Sequence, residues 1–198
     1  MPFPLEITEL RNGDSIRRTN YSIKAVQVDH KVAALAYVLQ EDPRPGRFNV
    51  EAARALRVPE GPTFGKLQRG EAVQAKDGRT IQPADVVGPP RRGRRLALSG
   101  DTRPCVPLVN AATEADLLIH ESTFSDDEQD RAIETRHSTA REAGRVAREA
   151  RVKRLILTHL SSRHDVDPSR LLAQAREEYD GPVEIAADGR TLELPLPD

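Results

Sequence analysis

Three short strings each place a metal-binding residue type at or just past an apolar run: Val28-Asp29-His30, Ser99-Gly100-Asp101-Thr102 and Leu157-Thr158-His159. Imidazole nitrogen and carboxylate oxygen together suit zinc. Two histidines and one aspartate fill only part of a two-metal hydrolytic centre. His30 lies between two strand-like runs, Asp101 follows Leu96 to Ser99, and His159 follows Leu155-Ile156-Leu157. In α/β proteins the loops beyond the strand ends are where sites are built. A lone histidine in such a place is more often structural. Three ligand-type residues at three strand ends favour a site.

A second group could move or hold protons. His137 precedes Ser138-Thr139, and His120-Glu121 closes an apolar run. His137 could act as a proton donor if paired with a carboxylate, and Glu121 and Asp101 are the candidate partners. His120 reads as a structural histidine, hydrogen-bonded at a strand end. His164 lies in a polar loop and takes no role.

The elements that must carry these residues read as follows. Leu5 to Ile7, Ile16 to Ile23, Tyr21 to Val28 and Val32 to Leu39 are expected strands, with a turn at Asn12-Gly13-Asp14. From Asp42 to Arg95 glycine and proline interrupt the chain repeatedly. One short helix is expected there, at Val50–Leu56 behind Asn49, with the rest extended or turning. So long a connection inside a domain is usually functional or disordered. From Leu96 the pattern alternates strand and helix. Strands are expected at 96–98, 117–120, 155–157, 183–185 and 192–194. Helices are expected at 106–115, after a capping box at Thr139 to Glu142, and at 168–179 behind Asp167. The fold class is therefore α/β.

The chain has 198 residues and a net charge of −1. The charge is unevenly placed. Residues 43–95 hold 12 Lys/Arg against 5 Asp/Glu, a net of +7, while residues 96–198 hold 13 against 20, a net of −7. Residues 1–42 hold 5 against 6. A basic middle suits nucleic-acid phosphates, although a solvated loop has the same look. Cys105 is the only cysteine, so no internal disulfide forms and a reducing cytoplasmic location is expected. No apolar run approaches the ~20 residues of a membrane span. Met1-Pro2-Phe3-Pro4 has no basic stretch and no long apolar run behind it, so it is not expected to be a signal peptide.

Four strings, in order and spacing, resemble ribonuclease Z of the metallo-β-lactamase superfamily: Ser99 to Cys105, Leu118 to Phe124, His137-Ser138-Thr139, and Leu157 to Arg163. Upstream, Asp29-His30 through Leu39 is similar to that family's middle ligand segment. Pro45 to Asn49 and Val58 to Gly70 are similar to its flexible arm for gripping tRNA. The resemblance implies the C-terminal part of an αββα sandwich with an inserted flexible arm, divided as residues 1–42, 43–95 and 96–198. It implies zinc, with His30 on one ion, His159 on the other and Asp101 bridging. It also implies proton transfer assisted by His137, with Glu121 orienting nearby groups. Arg47, Gly61, Pro62, Gly65, Lys66, Arg69 and Gly70 would contact RNA, the cations through phosphates and the glycines through exposed backbone. The implied activity is hydrolysis of a precursor tRNA near its 3′ end by a homodimeric complete enzyme.

Three departures are tolerable: Ser122 stands where the family has alanine, His164 where it has tyrosine, and Lys31 where it has glycine. The serious one is that the family's His-x-His-x-Asp-His string, which supplies four ligands, does not occur in this sequence. The expectation is therefore a C-terminal portion, inactive alone and prone to aggregate, whose other ligands are either encoded elsewhere, as on a separate N-terminal half, or lost. A non-catalytic tRNA- or partner-binding remnant is the alternative. A hydrolase of small substrates is a third reading, disfavoured by the arm.

Overall fold

The structure is a computed structural model and describes residues 6–164 and 166–197. In chain order the elements are β1 (Ser15–Arg17), β2 (Tyr21–Gln27), β3 (Leu35–Glu41), α1 (Val50–Ala55), α2 (Pro62–Gln68), β4 (Val73–Gln74) and β5 (Thr80–Ile81). Then come β6 (Arg95–Leu98), α3 (Val106–Ala112), β7 (Leu117–Glu121), α4 (Gln129–Thr135), α5 (Ala140–Glu149), β8 (Leu155–Thr158), α6 (Ser169–Arg176) and β9 (Val183–Ile185). The chain divides into two compact units: residues 1–41 with 94–196, and residues 42–93 with 197–198.

The larger unit is built on one seven-stranded sheet in the order β1-β2-β3-β6-β7-β8-β9. Strands β1 to β3 and β6 pair antiparallel, and β6 to β9 pair parallel. Alternation sorts the side chains by face. Ala36, Val38, Ala97, Leu118, Leu155 and Leu157 join one core with Leu108 and Ala112 of α3, Ala143, Val146 and Ala147 of α5, and Leu171 and Ala175 of α6. The register row Tyr37, Leu98 and Ile119 faces the other way. Tyr37 and Leu98 keep 37% and 41% exposure.

Helix α5 starts where its capping box requires. Thr139 accepts from the Glu142 amide, and the Glu142 carboxylate accepts from the Thr139 amide at 3.0 Å. Its small residues let α6 approach closely. A Cβ at Gly144 would run into the Ala175 carbonyl. Gly144→Ala is therefore expected to destabilise the unit by about 1–3 kcal/mol through overpacking, outweighing the roughly 1 kcal/mol of added helix propensity. Denaturant unfolding reads this directly, and a variant as stable as its parent would show that α6 yields freely.

The smaller unit corrects the expectation of a largely extended segment. Asn49 caps α1 as anticipated, its side chain accepting from the Ala52 amide at 2.9 Å. Helix α2 was not anticipated. Pro62 suits its first turn, and Gly61 supplies the φ of +98° that the entry requires. The pair β4–β5 forms a hairpin. Ala53, Val58, Leu67, Val73, Ala75, Ile81 and Val86 close a core of their own, with the Phe48 and Phe64 rings 4.8 Å apart. At the base, Arg44 and Arg91 exchange backbone hydrogen bonds of 2.7 and 3.0 Å.

Other differences are local. Helix α4 was missed because its residues are mostly polar and only Ala132 is buried. Residues 192–194 form no strand, nor do Glu6 and Ile7, while Leu5 lies outside the described residues. The run from Val32 enters the sheet only at Leu35, and Val32 itself is 69% exposed.

Candidate metal centre

Three parallel strands deliver their C-terminal ends to one place. Asp101 follows β6, Glu121 ends β7 and His159 follows β8. His30 comes from the connection between β2 and β3, and His137 from the turn between α4 and α5. The structure brings all five together. One ligand atom each from His30, Asp101 and His137 lie within 4.8 Å of one another, as do those of Glu121, His137 and His159. Asp101 Oδ1 is 3.8 Å from His159 Nε2. The ring centroids of His30 and His137 are 4.8 Å apart, and those of His137 and His159 are 5.4 Å apart.

Backbone geometry makes this approach possible. Gly100 has φ +61°, and a Cβ there would sit 2.7 Å from the Leu35 carbonyl oxygen, so the bend before Asp101 excludes other residues. His159 adopts the left-handed region at φ +55°. Residues other than glycine are uncommon there, though histidine is among the more tolerant, and such backbone gathers at functional sites. The loop is held in place by the Ser122 amide on the Thr158 carbonyl at 2.9 Å and the Ser161 amide on the Thr123 carbonyl at 3.1 Å.

Glu121 is the hub. Its carboxylate is buried, with 1% of the side chain exposed. Oε1 accepts from the Thr102 amide at 3.0 Å, the Ser138 amide at 3.1 Å and His137 Nδ1 at 2.9 Å. Oε2 accepts from the Thr123 amide at 3.1 Å and its hydroxyl at 2.8 Å. Of the two partners considered for His137, Glu121 is thus the one that holds it. The carboxylate ties the Asp101 loop, the β7 end and the His137 turn into one assembly.

The histidines are aimed by their other nitrogens. His30 Nδ1 is 2.8 Å from the Arg136 carbonyl, which can only accept, so Nδ1 carries a proton, and in the neutral ring Nε2 is the bare nitrogen. Arg136 also binds Asp29 at 2.5 Å and has φ +60°. Arg103 binds the His137 carbonyl at 2.7 Å and pairs with Glu142. Burial raises the Glu142 carboxyl, but its hydrogen bonds from Arg103, the Thr139 amide and Gln129 outweigh that and hold it below the ordinary range. Sequence reasoning missed Thr123, Arg103 and Arg136 as positioning groups. Thr123 and Arg103 lie inside the recognised strings, but no sequence signal marks the Arg136 carbonyl.

His120 is wholly buried. Burial lowers its pKa, its Nδ1 is 2.6 Å from the Glu121 carbonyl, and its Nε2 has no partner among the described residues. It belongs to the sheet's packed interior rather than to the centre. His164 pairs with Glu128 at 3.0 Å. In the smaller unit, Arg69 pairs with Glu71 at 3.1 Å, and Lys66 is exposed. Gly61 and Gly70 adopt positive φ, whereas Gly65 lies inside α2. Arg47 and Pro62 are exposed.

The donor types suit a divalent metal of zinc type, with His30, Asp101 and His137 forming one group of ligand atoms and Glu121, His137 and His159 another. His30 and His159, each within reach of these groups, and Asp101, 3.8 Å from His159, would be among its ligands. No helix among the described residues is long and apolar enough to cross a membrane.

Comparison with solved structures defines the class. The chain superposes with a TM-score of 0.60 on the metallo-β-lactamase fold protein YhfI from Bacillus subtilis, at 19% identity, covering 91% of this chain and 53% of that one. Human tRNase Z, short form, gives 0.54 at 23% identity, covering 91% and 47%. This is a metallo-β-lactamase-fold protein. No family model matches the sequence. The chain is 69% identical to ribonuclease Z of Myxococcus xanthus over 198 residues, all of this chain and 64% of that protein. It is 49% identical to ribonuclease Z of Haloferax volcanii, over 99% of this chain and 62% of that protein. The resemblance to ribonuclease Z therefore runs the full length of the chain, which spans less than two thirds of these relatives.

Proposed function

We propose that the chain is the C-terminal portion of a zinc-dependent endoribonuclease that trims tRNA precursors at the 3′ end. The observation that carries this is the meeting of His30, Asp101, Glu121, His137 and His159, residues up to 129 positions apart in the sequence, at one set of strand ends. The 69% identity to a protein named ribonuclease Z supports the substrate class. Zinc bound with His30, Asp101 and His159 among its ligands would supply Lewis-acid stabilisation of phosphate charge. His137, oriented at Nδ1 by Glu121, presents Nε2 to deliver a proton to the leaving oxygen. The basic residues 43–95 hold the body of the RNA. In this reading the enzyme works in the cytoplasm as a homodimer, and the four ligands of the absent His-x-His-x-Asp-His string come from a segment or partner outside this chain.

Three ligands are fewer than the four that one tetrahedral zinc takes, before a second ion is considered. The chain is expected to bind zinc weakly and not to cleave precursor tRNA. Asp101→Ala is expected to abolish the binding. Equilibrium dialysis and a cleavage assay decide this. Tight uptake of two zincs, or accurate cleavage by the chain alone, would overturn the partial-site reading. Zinc binding indifferent to Asp101 would overturn the ligand assignment.

A further inference from the structure

We propose that Thr123 is a positioning residue that fixes the tautomer of His159, leaving bare the Nε2 that faces Asp101. Its Oγ1 lies 2.8 Å from Glu121 Oε2 and 2.8 Å from His159 Nδ1, with His137 Nδ1 at 3.3 Å. A threonine hydroxyl carries one proton and two lone pairs. Both Glu121 oxygens already act as acceptors, Oε1 towards the Thr102 and Ser138 amides and Oε2 towards the Thr123 amide. The hydroxyl proton therefore goes to Oε2. Only the lone pairs of Oγ1 are left for His159, so its Nδ1 must bring the hydrogen. His159 is then the Nδ1–H tautomer with Nε2 bare, and Nε2 is the atom 3.8 Å from Asp101 Oδ1.

The relay has one direction: His159 Nδ1–H to Thr123 Oγ1–H to Glu121 Oε2. It does for His159 what the Arg136 carbonyl does for His30. Outer partners of this kind orient metal-binding imidazoles in general. Here the partner is a hydroxyl whose polarity is imposed by a buried carboxylate one step further back. His159 needs such a constraint more than His30 does, because its backbone is in the left-handed region and half of its side chain is exposed. The hydroxyl also gives Glu121 a hold on two histidines, His137 directly and His159 through Thr123.

The role as a ligand-positioning residue rests on the metal reading above, but the tautomer does not, so the test uses neither metal nor RNA. Two-bond 1H–15N correlation spectra of the 15N-labelled chain, freed of metal and held about two pH units above the ordinary imidazole pKa, report the tautomer of each histidine. In the parent and in Thr123→Ser, His159 is expected as Nδ1–H. In Thr123→Val, which keeps the shape and removes the hydroxyl, His159 is expected to shift towards the Nε2–H form that free imidazole prefers. His30 should stay Nδ1–H in all three and so serves as the internal control for folding. Thr123→Ala tests the same loss with a smaller side chain should valine perturb the fold. An Nε2–H His159 in the parent, or an unchanged Nδ1–H His159 in folded Thr123→Val or Thr123→Ala, would overturn the proposal. A chain that shows the tautomer switch yet binds no zinc would sink the metal reading and leave the relay standing.

Discussion

Replacing residues 46–88 by a short linker is expected to remove most of the affinity of the chain for tRNA and to flatten its salt dependence. The replaced residues lie within one unit, with its own apolar core and its base held by the Arg44–Arg91 backbone pair. The deletion removes Arg47, Arg54, Arg57, Lys66, Arg69, Lys76 and Arg79, seven of the twelve cations of residues 43–95. Lys66 and Lys76 are exposed, while Arg54, Arg69 and Arg79 pair with Glu60, Glu71 and Asp77. Solvent screens exposed pairs of this kind, so phosphates can displace the carboxylates. If roughly three to five cations meet phosphates, log affinity falls against log salt with a slope of about −2 to −4. Between 50 and 200 mM salt that is a loss of about 15- to 250-fold for the intact chain. A salt titration of tRNA binding with both forms measures it. Equal slopes and affinities would mean that residues 46–88 are a solvated surface and not the RNA grip.

Glu121→Ala is expected to cost about 3–5 kcal/mol of stability, a large share of the roughly 5–15 kcal/mol that a domain possesses. The cost comes from the donors left behind. The Thr102, Thr123 and Ser138 amides, the Thr123 hydroxyl and His137 all point at this carboxylate, and water cannot readily replace it at 1% exposure. Glu121→Gln keeps one acceptor oxygen and turns an amide nitrogen towards some of the same donors. It should cost less, about 1–3 kcal/mol. Urea unfolding of the three proteins ranks them. An alanine variant within about 0.5 kcal/mol of the parent would show that the hub is not built as described, since changes that small belong to ordinary surface sites.

Much of the larger unit was legible in the sequence because its signals are local. The capping box at Thr139 and the apolar spacing behind it locate α5 without reference to anything distant. The aliphatic runs before Glu121 and His159 mark strands because strands buried on both faces, or nearly so, read as unbroken apolar stretches, and Leu96-Ala97-Leu98 reads the same way although Leu98 keeps 41% exposure. Helices α2 and α4 were not legible. Their stability comes from partners far along the chain or from a single buried residue, Leu67 in α2 and Ala132 in α4, so neither shows the apolar stripe that marks a helix. The 192–194 segment alternates like a strand but enters no sheet; its Leu194 carbonyl accepts from the Arg94 guanidinium at 3.0 Å instead of from a neighbouring strand.

For the site, residue type, spacing and family resemblance sufficed to name His30, Asp101, Glu121, His137 and His159. These are properties of short strings, and short strings are what a sequence presents. Their meeting is a consequence of tertiary structure, because parallel pairing of β6, β7 and β8 is what aligns the three strand ends. So is the division of labour among them. Whether Glu121 or Asp101 holds His137, which nitrogen of His30 is bare, and that Thr123 stands between Glu121 and His159 all depend on distances between residues 2 to 106 positions apart. Hydrogen bonds of about 3 Å are decided by the packing of several loops at once. No single stretch of sequence encodes that packing, so only the folded chain decides it.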